Sequence, residues 1–138
     1  MDNKRKPSKG LTLYTVTRWN SNEIEAMYWG GMGSCTDDVI VLPDGLTHIG
    51  YNKEEIYESD CWDTQHIRTG IRTCYEPIIL NIPAYVTQIH IPATVLSISD
   101  RAFLKLPVNA KLYVDEANPY YVATKDNRFV LKKIVVIK

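Results

Sequence analysis

The segment DCWDTQHIRTGIR, residues 60–72, concentrates side chains that could do chemistry. Carboxylates and an imidazole can act as general base and acid, and a cysteine near a histidine can form a nucleophile pair. No second pair of ligands follows at metal-binding spacing, so we expect no metal and no cofactor. The alternative to a protein-binding function is therefore a protein that binds a nucleotide-like small molecule, or a hydrolase. Its candidate residues are Asp60, Asp63, His66, Arg68 and Arg72, with Cys61 among them.

The glycine-rich segment YWGGMGSC, residues 28–35, could in principle hold a phosphate group. Glycines let backbone N–H groups close around an anion. The segment lacks the lysine of the G-x-x-x-x-G-K-[ST] loop, and it does not stand between a clear strand and a helix. A turn is the favoured interpretation.

Residues 51–77 are also rich in Trp, Tyr and Arg, the side chains that most often anchor protein interfaces. A segment that interrupts a repeated fold projects as a loop, where recognition residues concentrate. The alternative for the aromatic rings is burial in the core. The sequence favours a non-catalytic protein-binding surface over an enzyme. The partner-binding candidates are Tyr57, Asp60, Trp62, Asp63, His66, Arg68 and Arg72, with Trp19 and Trp29 nearer the N-terminus.

Length and composition predict one domain with its own core. The 138 residues are 45% hydrophobic and 23% charged, and no apolar run reaches the about 20 residues of a bilayer span. The basic residues 1–10 are not followed by the apolar stretch of a signal peptide, and three cysteines fit a reducing compartment. We therefore expect a cytoplasmic protein that does not enter a membrane.

Charge is distributed in blocks although the net charge is zero. Residues 1–20 carry five cations and one anion, residues 21–63 carry one and ten, and residues 64–138 carry ten and five. Direct binding to nucleic acid is not expected, because a duplex binder needs a basic face. The acidic middle block could instead engage a basic protein surface, as a small inhibitor would. The alternative is that the blocks neutralise each other within the fold.

A short motif, P-x-x-[LV]-x-x-I, occurs three times, beginning at Pro43, Pro83 and Pro92. A β-rich apolar run precedes each copy, and proline ends the run because it has no N–H to donate to a sheet. Apolar residues three apart fit a chain that turns a corner and sends one side chain inward on each facet. Recurrence of such a unit predicts a solenoid, in which each coil covers the apolar edge of the next. His48 and His90 stand within these units at positions expected to face solvent.

Two segments, residues 91–103 and 112–133, resemble the leucine-rich repeats of the bacterial surface-antigen type, called BspA-like. IPATVLSISDRAF is similar to the family phrase I-P-x-x-V-T-x-I-G-x-x-A-F, and LPDGLTHIG at 42–50 supplies its threonine and glycine. LYVDEANPYYVATKDNRFVLKK is similar to the family's strand, N-P-x-Y turn and hairpin ending in a buried apolar strand. The matching positions are Ile91, Pro92, Val95, Ile98, Ala102 and Phe103 in the first segment, and Leu112, Val114, Asn118, Pro119, Tyr121, Phe129 and Leu131 in the second.

The resemblance covers residues 39–50 and 78–133. It implies a mainly β fold, a short leucine-rich-repeat-like β-solenoid, and recognition of another protein. Together with the expected location, it suggests a small bacterial or phage effector or inhibitor. Self-association is compatible with such a stack, because the stack has two ends.

The expected organisation is a flexible basic tail over 1–10 and a single repeat-type domain over 11–138, in which 51–77 is an insertion or a degraded repeat. Alternation near 11–18 predicts an N-terminal capping strand. Because Pro83 and Pro92 are only nine residues apart, only one of them, preferably Pro92, is expected to begin a full coil. Other strands are predicted near 39–42, 78–82, 88–91, 111–115 and 128–137, and a helical turn near 100–105.

Overall fold

Short β-strands and tight turns make up the protein. The computed structural model describes residues 6–17, 23–51, 57–62, 65, 68–74 and 77–133, with the backbone alone for 57–62 and 68–74. Eleven strands and no helix lie within these residues. The strands are β1 (Thr12–Thr17), β2 (Ile24–Gly31), β3 (Val39–Val41), β4 (His48–Ile49), β5 (Tyr57–Trp62), β6 (Arg68–Cys74), β7 (Gln88–Ile91), β8 (Ser97–Ile98), β9 (Lys111–Val114), β10 (Tyr121–Ala123) and β11 (Val130–Lys132).

A four-stranded sheet has the order β1-β2-β4-β8. β1 and β2 form an antiparallel hairpin, and β2, β4 and β8 then pair in parallel. The predicted N-terminal capping strand corresponds to β1, which lies at the edge of this sheet.

A second sheet has the order β3-β7-β9 and is parallel throughout. Its central row joins Ile40, Ile89 and Leu112, each of which is fully buried. β3 and β4 pair with β7 and β8 at one constant offset along the chain. The units 39–50 and 88–99 therefore stack on each other in register.

The prolines of the repeated motif all form the same turn. The N–H of Leu46 donates to the carbonyl of Pro43 at 3.2 Å, and Val86 and Val95 donate in the same way to Pro83 and Pro92 at 3.1 and 3.4 Å. The turn brings the third residue after each proline into the core, which is the physical reason for the period of three. Leu46, Val86 and Val95 are all at most 1% exposed.

The two closely spaced prolines belong to one unit. The turn at Pro83 precedes β7, and the turn at Pro92 separates β7 from β8. The equivalent of Pro83 in the next unit is Pro107, which accepts a hydrogen bond from Ala110 at 2.9 Å just before β9. The mainly β class is thus confirmed, whereas the strands form several small sheets and a solenoid is not confirmed.

One apolar cluster joins the repeat units. The motif residues Leu46, Ile49, Val86, Ile89, Val95 and Ile98 all belong to it, and Phe103 packs against it. Gly50 lies at a crowded point, with φ +87°, where a Cβ atom would stand 2.6 Å from the Cβ of Ala102. This close contact explains why the first unit ends in glycine.

Three predicted elements differ from the structure. Residues 78–82 are not a strand, because the N–H groups of Ile78 and Leu80 bond to the carbonyls of Gly50 and Ala102 across the turns. Residues 100–105 form successive tight turns and no helix. At the C-terminus β11 covers only Val130–Lys132, and residues 134–138 of the predicted strand lie outside the described residues.

Single residues close both edges of the parallel sheet. At β3, Ser8 donates its N–H to Val41 O and accepts the Val41 N–H on its hydroxyl, each at 2.9 Å. At β9, Asn127 accepts from Leu112 N at 2.7 Å and donates its side-chain amide to Leu112 O at 2.8 Å. Because these contacts satisfy backbone groups, they prevent another strand from pairing there.

Candidate interaction surfaces

An antiparallel hairpin, β5–β6, interrupts the repeat between the units 39–50 and 88–99. An antiparallel bridge between Tyr51 and Pro77 lies at its base. The predicted insertion over 51–77 therefore has strand structure of its own. Parallel repeat strands do not pair with it among the described residues.

The hairpin carries five of the predicted partner-binding residues. Its register pairs Trp62 directly with Arg68, next to an irregularity between Cys61 and Trp62. Tryptophan and arginine are both frequent anchors of protein interfaces. The residues on β5 are Tyr57, Asp60 and Trp62, and those on β6 are Arg68 and Arg72. Trp19, Asp63 and His66 lie outside the described residues.

The same register bears on the catalytic alternative. Asp60 pairs with Ile71, and Arg72 pairs with Ser59, so this aspartate and arginine are not direct cross-strand partners. Among the residues that the structure describes, no three His, Cys, Asp or Glu side chains gather closely enough to hold a metal ion.

Trp29 lies in the core, so the prediction that it contacts a partner is wrong. Its side chain is 0% exposed, and its indole N–H donates to the carbonyl of Gly31 at 2.6 Å. The neighbouring Tyr28, on the opposite face of β2, is also buried. Since both faces of β2 are covered at this point, the indole has no surface to offer a partner.

The glycine-rich segment forms a turn that binds the chain itself. The N–H groups of Ser34 and Cys35 both donate to the carbonyl of Gly10, at 2.8 and 3.2 Å. Gly33 has φ +59°, and a Cβ there would stand 2.2 Å from the same carbonyl oxygen. Because Gly10 occupies the position that an anion would need, the contacts support a turn over a phosphate-binding loop.

A row of aromatic rings crosses the outer face of the four-stranded sheet. Tyr14 and Tyr28 stack with ring centroids 5.6 Å apart, and Tyr28 stacks on His48 at 4.4 Å. Tyr51 meets both Tyr28 and His48 edge-on, and its hydroxyl lies 2.6 Å from that of Ser97. Ala26, Tyr28 and Tyr51 thus form a second small cluster of buried residues, separate from the main core.

Sequence reasoning missed this cluster because it treated His48 as a solvated side chain. His48 is half-buried, and this burial lowers its pKa. The register Tyr14–Tyr28–His48 depends on three strands from separate parts of the chain. His90 likewise stacks on Tyr113, at 4.9 Å, on the face of the other sheet.

Asn118, from the N-P-x-Y segment, joins the C-terminal turn to the second proline turn. It is fully buried, and its side-chain N–H groups donate to the carbonyls of Pro92 and Val95 at 3.1 and 3.2 Å. Its side-chain oxygen accepts from the N–H groups of Tyr120 and Tyr121 at 2.8 and 2.9 Å. Four hydrogen bonds that hold this turn in place therefore meet at one amide.

The C-terminal hairpin β10–β11 does not end in the buried apolar strand that the resemblance implied. Tyr121 on its inner side belongs to the core, and the partly buried Val130 packs against that core. Its outer side leaves Phe129 66% exposed and Leu131 55% exposed. This finding corrects the expectation, because the strand alternation that directs Val130 toward the core turns its neighbours outward.

Comparison with known proteins finds no matching family model, no matching curated protein and no matching solved structure. Within the described residues, no helix is long and apolar enough to pass through a bilayer. The chain is therefore defined by its own features, which are stacked proline-turn units and an inserted hairpin.

Proposed function

We propose that this chain is a non-catalytic protein-interaction module whose recognition element is the β5–β6 hairpin. The observation that carries the proposal is the direct cross-strand pairing of Trp62 with Arg68 in a hairpin inserted between two stacked units. Inserted loops of repeat proteins lie on one side of the stack, where they are free to vary and to bind. Tyr57, Asp60 and Arg72 lie on the same two strands.

The scaffold in this proposal is a short leucine-rich-repeat-like solenoid related to the BspA-like type. Three features support it: the identical turns at Pro43, Pro83 and Pro92, the in-register stacking of 39–50 on 88–99, and one shared apolar cluster. A rigid scaffold of this kind holds the ends of the insertion in place. It thereby limits the entropy that the hairpin loses when it binds.

The partner in this proposal is another protein, and the chain acts as an intracellular effector or inhibitor in a bacterial or phage setting. The charge layout supports a basic partner surface, since residues 21–63, which include β5, carry ten anions and one cation. Opposite charge across an interface increases the rate of association and excludes wrong partners.

The test uses the full chain as bait in extracts of its native host, with captured proteins identified by mass spectrometry. We expect one protein to be captured by the wild type and by Val108→Ala, and to be lost with Trp62→Ala and Arg68→Ala. Val108 is a matched control because it is 86% exposed and distant in sequence from the hairpin. Capture that is unchanged by both hairpin variants would contradict the proposal. A thermal shift with a nucleotide or metal that disappears in His66→Ala would favour the small-molecule alternative.

A further inference from the structure

The backbone groups along the outer edge of β11 face away from the protein. In the β10–β11 ladder, Thr124 N donates to Phe129 O at 2.9 Å and Lys133 N donates to Tyr120 O at 2.8 Å. Antiparallel pairs alternate between hydrogen-bonded and non-hydrogen-bonded, so Phe129, Leu131 and Lys133 direct their backbone groups toward β10. Val130 and Lys132 therefore direct theirs outward, and no described residue bonds to them.

This open edge differs from the other sheet edges near it. Ser8 closes β3, and Asn127 closes β9. At β8, the N–H of Ile98 donates to the hydroxyl of Tyr121 at 3.0 Å. Proteins protect exposed strand edges against unwanted pairing, so an edge left open beside three closed ones is suited to accept a strand.

The hairpin face beside the open edge is apolar and exposed. Val122 pairs directly with Leu131, and the two side chains are 45% and 55% exposed. Tyr120 and Phe129 flank this pair on the same face, by strand alternation, at 49% and 66% exposed. Four neighbouring apolar side chains make a patch of the kind that marks an interaction site.

We propose that a second copy of this chain covers this patch, by antiparallel pairing of β11 with β11 across a two-fold axis through Leu131. In this register Val130 of each copy lies opposite Lys132 of the other, so the four outward-facing backbone groups of each strand exchange hydrogen bonds. Leu131 meets its own copy in a non-hydrogen-bonded pair, where side chains approach most closely. The result is a continuous four-stranded sheet, β10-β11-β11-β10, with one shared apolar face.

Charge selects this register over its neighbours. If one β11 strand is moved along the other, the outward-facing backbone groups stay opposite each other only when each residue's partner changes by an even number of positions. One such shift places Lys132 opposite its own copy, and the other places Lys132 opposite Arg128. Like charges directly opposite each other destabilise a sheet. The register centred on Leu131 has no like-charge pair among residues 129–133, since Lys133 then lies opposite Phe129.

The proposal is independent of the function proposed for β5–β6, which lies in a different part of the chain. The paired surface is small, so we expect reversible association at micromolar concentrations. Sedimentation equilibrium of the full chain should give twice the 15.8 kDa chain mass at high concentration and the single mass on dilution. A wild type that remains monomeric throughout this range would overturn the proposal.

Leu131 is the position for a charge-exchange test, because its side chain faces outward and its replacement leaves the core intact. Leu131→Lys or Leu131→Glu alone should weaken association by at least about tenfold, since each places two like charges at the axis. An equal mixture of the two variants should restore the dimer, because opposite charges then meet. Val108→Lys, at another exposed site, should associate as the wild type does. A dimer that persists in Leu131→Lys, or a mixture that stays monomeric, would overturn the assigned surface.

A covalent test fixes the geometry. Non-hydrogen-bonded antiparallel pairs hold Cα atoms at about 4.5 Å, within the range that a disulfide spans. Leu131→Cys should therefore form an intermolecular disulfide on mild oxidation, whereas Val122→Cys, one strand away from the axis, should not. Circular dichroism of each variant checks that the β fold is retained. Equal cross-linking at both positions would contradict pairing through β11.

Discussion

The side-chain amide of Asn118 donates a hydrogen bond to the carbonyl oxygen of Pro92, 3.1 Å away, and thereby connects the C-terminal turn to a turn of the repeat. The same side chain makes three further hydrogen bonds and is fully buried. The chain therefore closes the last unit of its stack with a polar group that is completely satisfied.

Asn118→Ala should destabilise the fold strongly, because it removes the four hydrogen bonds of a buried amide. The carbonyl of Val95 and the N–H groups of Tyr120 and Tyr121 lose this partner, whereas the carbonyl of Pro92 still accepts from the N–H of Val95. Buried unsatisfied groups cost about 1–3 kcal/mol each, and partial relaxation should limit the loss to roughly 2–5 kcal/mol. Chemical denaturation measures the change. Asn109→Ala is the control, since Asn109 is exposed in the preceding turn and should lose less than about 0.5 kcal/mol. Similar losses for both variants would contradict the role given to Asn118.

Gly50 should tolerate alanine less well than Gly45 does. Both glycines have positive φ, at +87° and +94°, so alanine strains the backbone at either site by about 1–2 kcal/mol. A Cβ at Gly50 also stands 2.6 Å from that of Ala102, whereas nothing lies within 4 Å at Gly45. We expect Gly50→Ala to lose at least about 1 kcal/mol more than Gly45→Ala in denaturant unfolding. Adding Ala102→Gly should recover part of that difference, and equal losses at the two glycines would refute the contact.

His48 should make the free energy of unfolding fall as the pH drops below about 6.5. Burial lowers the pKa of His48 in the folded protein, so the unfolded chain, with a pKa of about 6.5, takes up a proton more readily. The stability linked to this residue is complete above about pH 6.5 and decreases as the pH falls toward the folded pKa. Denaturant unfolding between about pH 7.5 and 5.5 should show a smaller decrease for His48→Gln than for the wild type. An unchanged pH dependence would contradict the burial effect.

Ser8→Ala should expose the edge of β3 at one amide. The hydroxyl of Ser8 accepts the N–H of Val41, and alanine removes that acceptor. Hydrogen exchange at Val41 should accelerate by about tenfold, which corresponds to roughly 1.4 kcal/mol. The amide of Ile89, on the central strand, should be unaffected, and Lys9→Ala should change neither. Equal exchange at Val41 in Ser8→Ala and the wild type would show that the hydroxyl does not protect this edge.

The sequence predicted the repeat well because each motif encodes its own local geometry. Pro43, Pro83 and Pro92 each end a run and bury the third residue that follows, and β7 begins and ends as predicted. The aromatic row was not predictable in this way. Tyr14, Tyr28 and His48 meet only when the β1–β2 hairpin pairs with β4 of the first repeat unit, so no local spacing reveals them.

Sequence composition says less about the proposed interaction surface than the repeated motif says about the fold. Richness in Trp, Tyr and Arg singled out Trp62 and Arg68, but only the hairpin register shows that they pair. The same composition rule also selected Trp29, which the main core buries. Composition alone does not separate these cases, because tryptophan is favoured both in cores and at interfaces.

The affinity of the captured, purified protein for Trp62→Ala tests the central claim most directly. Isothermal titration of wild type, Trp62→Ala and Val108→Ala with that protein compares the hairpin with an exposed site elsewhere. If β5–β6 is the recognition element, Trp62→Ala should weaken binding by about 2 kcal/mol or more, roughly thirtyfold, while Val108→Ala binds as the wild type does. Equal affinity of all three proteins would contradict the account.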